Sequence, residues 1–142
     1  MKVLLKEVKG GTVGSKLRYI DYWILGRLDN GIEIEIFDLE PFNLKKYENQ
    51  TVDCLLFAWI QDITTENNDQ YEFTGKYLGE YEIPSIWIKR NPLLEYGKNN
   101  YEAIEVATGI FLTDASEFNN DIENGQEVAF NVIRFDLKCW LK

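Results

Sequence analysis

The sequence predicts an all-β fold in one domain, residues 1–142: a single small antiparallel β-barrel or strongly coiled sandwich. About seven strands are expected, with one or two short helical turns. Three observations carry this. Residues 32–37, "IEIEIF", alternate strictly between apolar and acidic after Asn30-Gly31, a strong hairpin signal because both residues tolerate positive φ. The run 51–63, "TVDCLLFAWIQDI", is apolar on both faces, as in a strand covered on two sides. Residues 70–84, "QYEFTGKYLGEYEIP", place an aromatic, a glycine or Ile83 at every second position.

Taken in chain order, "KVLLKEVK" opens a first strand that ends in a turn at Gly10-Gly11. A second runs from Lys16 to Leu28 and stops at Asp29-Asn30-Gly31. In the third, Ile32, Ile34 and Ile36 face inward and Glu33 and Glu35 outward. Pro41 excludes a central strand after it, and Asn43 is placed to cap a short helical turn through Tyr47. The long strand 51–63 sets Val52, Cys54, Leu56, Ala58 and Ile60 on one side and Leu55, Phe57 and Trp59 on the other.

In the aromatic stretch, Tyr71, Phe73, Gly75, Tyr77, Gly79, Tyr81 and Ile83 share a face. The opposite face carries Glu72, Thr74, Lys76, Leu78, Glu80 and Glu82. One wet side implies one dry side, so the ring ladder reads as core, its glycines making room where the strand bends. Pro84 and Pro92 bracket "SIWIKRN", read as an irregular or edge segment. Residues 84–96 are expected to cover the Leu55–Phe57–Trp59 face, burying Trp87, Leu93 and Leu94; a second subunit or a different protein is the other cover that face admits. "YEAIEVATGIFLT" reads as one strand bent at Gly109, and Asp114 with Glu117 as a capping box. Asn124-Gly125 turns the chain into the last strand. There Val128, Phe130 and Val132 have one phase, and Ile133, Phe135, Leu137, Cys139 and Leu141 the opposite one. A bulge or a sharp coil near Val132 reconciles them.

The chain contains no histidine, which removes histidine bases, Ser-His-Asp and Cys-His pairs, and imidazole zinc sites. Cys54 and Cys139 fit no zinc spacing; they read as small buried hydrophobes, with an inter-strand disulfide as the alternative. No P-loop, dinucleotide fingerprint, nucleophile elbow or calcium loop is present, so no cofactor and no metal are implied. The opening "MKVLLKEVKGG" is too short in apolar residues for a signal peptide, and a cytoplasmic location is expected. The net charge of −9 is uneven: in residues 1–28 six bases face two acids, and the remainder sums to −13.

These features favour a non-enzymatic protein-interaction module. Its concrete form is an acidic antagonist of the kind that immunity proteins represent, masking a basic partner. Asp114, Glu117, Asp121, Glu123 and Glu127 form its acidic run, with Trp87, Lys89 and Arg90 as interface anchors. The second reading is a barrel similar in style to the oligonucleotide-binding (OB-like) type. It would hold an oligonucleotide or a sugar on strand aromatics, with Arg18, Tyr22 and Lys76 as the groove. The acidic balance disfavours nucleic acid. The third is a carboxylate-dependent hydrolase. Asp21 shares a strand face with Leu17, Tyr19, Trp23 and Leu25, and would work with Asp53 at the 5–9.5 Å separation that glycoside hydrolysis needs.

Overall fold

The computed structural model describes residues 1–63, 71–96, 101–114 and 122–142. Its elements are β1 (Lys2–Gly10), β2 (Tyr22–Leu28), β3 (Glu33–Asp38), a short 3-10 turn (Lys45–Tyr47), β4 (Thr51–Ile63), β5 (Tyr71–Glu80), α1 (Ser85–Arg90), α2 (Leu93–Tyr96), β6 (Tyr101–Val106), β7 (Gly109–Asp114) and β8 (Glu127–Leu141). The strands form one sheet in the order β1-β2-β3-β8-β4-β7-β6-β5, closed by further pairings β1–β4 and β8–β5. The all-β, barrel-like class is therefore as expected.

The long antiparallel ribbon β4–β8 is the spine. On its free edges β4 gives residues 51–53 to β1 and 56–57 to β7. Likewise β8 gives residues 127–132 to β5 and 135–136 to β3. Two five-strand circuits result, β1-β2-β3-β8-β4 and β4-β7-β6-β5-β8, which share the spine. The pairings are antiparallel except β3–β8 and β4–β7, which are parallel over two residue pairs each.

One core runs through both circuits. Leu5, Ile24, Ile34 and Ile36 enter it from the first, Phe73, Tyr77, Ile104 and Phe111 from the second, and Leu56, Phe130 and Phe135 from the spine. The ring ladder of β5 faces into it. Phe73 and Tyr77 are buried in it, and the side chain of Tyr71 lies outside the described ones. Past the end of β5, buried Ile83 and half-buried Tyr81 leave the ladder and pack in a second cluster, which the reading of one shared face did not foresee. Phe73 meets Phe111, Phe130 and Phe135 at centroid distances of 5.1, 5.8 and 5.9 Å, tilted or offset as ring quadrupoles prefer. Burial, and then a hydrogen bond to Glu102, holds the Tyr77 phenol well above its ordinary pKa.

The outer face of β4 has its own cover. Leu55 and Phe57 pack with Ile83, Trp87, Leu94, Leu112 and Cys139 in a second buried cluster, so α1 and α2 lie over them as expected. Leu93 is the exception and points outward. The 85–90 segment is a helix rather than an irregular edge. Pro84 sits in the non-helical N-cap conformation, where its missing N–H costs nothing, and extended Asn91 before Pro92 ends the helix. Asn91 Nδ2 then donates to the Lys138 carbonyl at 2.8 Å.

The phase change in β8 is resolved by bulges. Trp59 pairs with Arg134 and Ile60 with Val132, so Ile133 is skipped and stands exposed, while Phe135 and Leu137 return to the main core. A second skip at Lys138 sends Cys139 to the opposite face from Leu137, which the single expected bulge did not foresee. Cys54 and Cys139 consequently lie in different clusters and are free thiols. Burial pushes Cys54 up to about 12.

Three further expectations are corrected. β2 starts at Tyr22, not Lys16: residues 11–21 form a loop held by Gly14 N–H to Arg18 O at 2.7 Å and Ile20 N–H to Thr12 O at 2.9 Å. Leu17 in that loop has φ +57° and is 90% exposed. Ile32 belongs to the 28–32 turn, its carbonyl accepting from Leu28 N–H, and is exposed rather than inward. Residues 101–114 make a tight hairpin through Ala107-Thr108, not one bent strand, giving eight strands among the described residues.

Candidate functional site

Where β5 ends at Glu80 the chain crosses the start of β6, with Tyr81 N–H donating to the Tyr101 carbonyl at 2.9 Å, and turns at Pro84 into α1. Together with α2 this encloses a groove of about 550 Å³ lined by Glu80, Tyr81, Glu82, Ile83, Ile88, Leu94, Glu95 and Tyr101. Ile83 and Leu94 are buried and make an apolar floor. Glu80, Glu82 and Glu95 are exposed around it, and none of the described lining residues is basic. Burial raises the phenols of Tyr81 and Tyr101, with Glu40 and Asp114 adding to the second, so both remain protonated donors at neutral pH. Asp114 lies opposite Tyr101 in the β6–β7 register and extends the negative field. Such a groove suits a cationic group carried on an apolar stem.

A band of rings leads to this groove across the outer sheet face. Trp23, Phe37, Asp136 and Phe57 are successive register partners on β2, β3, β8 and β4. Trp23 and Phe37 have centroids 3.7 Å apart. The Arg134 guanidinium lies 4.9 Å from the Phe37 ring and 5.7 Å from that of Trp59. It donates to both Asp136 oxygens at 2.7 and 3.1 Å, and Trp59 Nε1–H donates to Asp136 at 2.8 Å. Three donors thus compensate the burial of the Asp136 carboxylate. Phe57 bridges Trp59, at 5.2 Å, to Tyr101, at 5.9 Å.

No family model matches this chain, and no curated protein or solved structure shows detectable similarity to it. The geometry alone carries the functional reading.

The residues singled out in the sequence are scattered. Asp21 Oδ1 accepts the Thr12 N–H at 2.6 Å and pins the 11–21 loop. Asp53 pairs with the Met1 amine at 2.6 Å. Asp53 opposes Lys2 in the β1 register, whereas Asp21 precedes Tyr22, the partner of Gly10. About 25 Å of strand separates those ends, at roughly 3.3 Å per residue, so the structure does not assemble the paired carboxylates of a glycosidase. Lys76 lies on β5 between Glu105 and Glu127, in the second circuit, while Arg18 and Tyr22 sit at the 11–21 loop of the first. Tyr22 packs on Tyr19 at 5.7 Å instead.

Trp87 is buried in the second cluster, and Lys89 and Arg90 are exposed on α1, with Arg90 4.9 Å over the Trp140 ring. Asp114, Glu123 and Glu127 are exposed; Glu117 and Asp121, and with them the capping box at 114–117, lie outside the described residues. Of the Leu55–Phe57–Trp59 face, only Trp59 stays open, at 39% exposure. Among the described residues no group of His, Cys, Asp or Glu is placed to hold a metal ion, and no helix is long and apolar enough to cross a membrane.

The groove acids Glu80 and Glu82 are in the sequence as the wet side of β5, but nothing there marks them as meeting Glu95. Trp23, Phe37, Arg134 and Asp136 were not singled out either. The one local signal for the last pair is a base and an acid two residues apart on a strand, which places them side by side on one face.

Proposed function

We propose that the protein binds a basic segment of another protein in the groove between β5, β6 and the α1–α2 turn. The single observation behind this is the union of an apolar floor with three carboxylates and no described base in one concavity. A lysine or arginine stem would lie against Ile83 and Leu94 with its charge among Glu80, Glu82 and Glu95, beside the rings of Tyr81 and Tyr101. The concrete form of this reading is the acidic, immunity-type antagonist: a partner whose basic site is masked by occupation of the groove. The exposed Asp114 beside Tyr101 supports it by steering the partner's charge. The five-strand circuit β1-β2-β3-β8-β4 supports an OB-like style for the scaffold, but the groove is built on the strands and helices between β4 and β8 rather than on that circuit.

The test is a fluorescence-anisotropy titration with a labelled peptide of alternating lysine and leucine. Binding is expected to weaken steeply as salt is raised. The E80K/E82K/E95K variant is expected to lose about tenfold or more in affinity. A D29K/E105K control, with acids reversed elsewhere, is expected to bind as the parent does. If the triple variant kept the parent affinity, the groove would not be the site.

A further inference from the structure

We infer a second binding site on the outer face of β2 and β3: a shelf for a neutral carbohydrate, with Trp23 as its stacking surface. It is separate from the acidic groove and does not depend on it.

A concavity of about 240 Å³ lies beside the Trp23 indole and is lined by Glu7, Lys9, Trp23, Ile24, Leu25 and Glu35. Trp23 keeps 39% of its surface open although its ring is backed by Phe37. Further along the band, Trp59 is equally open and its indole is tied by its N–H to Asp136. Both rings are thus held in place before any ligand arrives, which removes much of the ordering cost of a stacking contact. Phe37 and Arg134 fill the space between them.

The charge around the shelf selects the occupant. Lys9 is paired with Glu7 at 3.4 Å, and Arg134 is neutralised by Asp136, so neither of these two described cations is left over as an unbalanced charge for a phosphate. Single-stranded nucleic acid stacks on aromatics in positively charged grooves; here two glutamates line the shelf, and the chain carries −9 overall. A pyranose has the opposite requirements. Its C–H face is apolar and packs on an indole, and its rim of hydroxyls both donates and accepts. Glu7 and Glu35 supply acceptors and Lys9 a donor at the edge of the ring. The open Trp59 gives a longer chain a second stacking surface on the same sheet face.

The experiment titrates maltohexaose, cellohexaose, laminarihexaose and chitohexaose separately, following tryptophan fluorescence and heat. At least one is expected to bind in the millimolar range or tighter, with little response to salt. Trp23→Ala is expected to weaken that binding by about tenfold, and Trp23→Phe, which keeps a smaller ring, by less. Trp59→Ala is expected to weaken the hexasaccharide more than the matching disaccharide. Circular dichroism checks that each variant is folded. The E80K/E82K/E95K variant keeps its sugar binding if the two sites are separate, so failure of the groove reading leaves this one standing. Absence of binding by all four glycans at low millimolar concentration overturns the inference. So does sugar binding that Trp23→Ala leaves unchanged, and so does oligo-dT binding the shelf in place of the sugars.

Discussion

Asp38 shows how one buried acid fixes a loop. It ends β3 with no exposed surface, and its two oxygens accept the N–H groups of Phe42 and Asn43, each at 2.8 Å. The turn 39–43 that follows contains the cis Glu40-Pro41 bond and leads into Leu44, a fully buried residue. Burial raises the Asp38 pKa, against three opposing backbone N–H bonds. Asp38→Ala strips these backbone donors of their acceptor and is expected to lower stability by about 2 kcal/mol, read as a shift in urea midpoint. A change below about 0.5 kcal/mol would show that water replaces the carboxylate, since surface changes stay in that range. The sign of the pH effect follows from the raised pKa. Protonation favours the folded chain, so the contribution is full below pH 3.8 and fades as pH rises through the higher folded value. Asp38→Asn cannot titrate and is expected to remove that slope. In the sequence Asp38 is only the residue after "IEIEIF"; its role comes from the chain folding back over it.

At the scale of elements, what alternated with period two was legible, and what depended on partners was not. β3 and β5 follow their alternation because one face is buried and the other wet. The bulge in β8 was legible as a phase slip for the same reason. Residues 16–21 carry strand-forming side chains, yet Asp21 and Thr12 tie them into a loop, a contact invisible to propensity. α1 was obscured by its flanking prolines, which read as breakers although Pro84 caps and Pro92 terminates. The aromatic band was illegible because its members come from four strands aligned by register. The β5 glycines test this account. A β-carbon on Gly75 would stand 2.5 Å from the Glu105 backbone carbonyl, which cannot swing away. Gly79 has φ +76° and faces the Asn124 side chain, which can move. Gly75→Ala is therefore expected to cost about 1–3 kcal/mol of overpacking. Gly79→Ala is expected to cost nearer 1 kcal/mol, the penalty of a left-handed residue. Thermal or urea unfolding gives the order, and a larger loss at Gly79 would contradict it.

For the whole molecule, the question is whether two circuits on one spine behave as one folding unit or two. Each circuit closes only through β4 and β8, so neither has a complete wall without the ribbon that the other also uses. Their interior side chains belong to a single buried cluster, in which Phe135 of the spine meets both Phe73 and Phe111 of the second circuit. Loss of packing in one circuit must then loosen the ribbon that closes the other. Ile34→Ala in the first circuit and Ile104→Ala in the second remove fully buried side chains, each at about 2–5 kcal/mol. Urea unfolding by far-ultraviolet circular dichroism and by tryptophan fluorescence is expected to give one coincident transition for the parent and for both variants. The midpoint should fall and the slope stay constant. Two separable halves would behave differently: Ile34→Ala would split off an early phase and leave a late one at the parent midpoint. The shared spine makes that outcome physically inconsistent with a continuous core, because half of β8 would have to stay paired while its other half lost its ring.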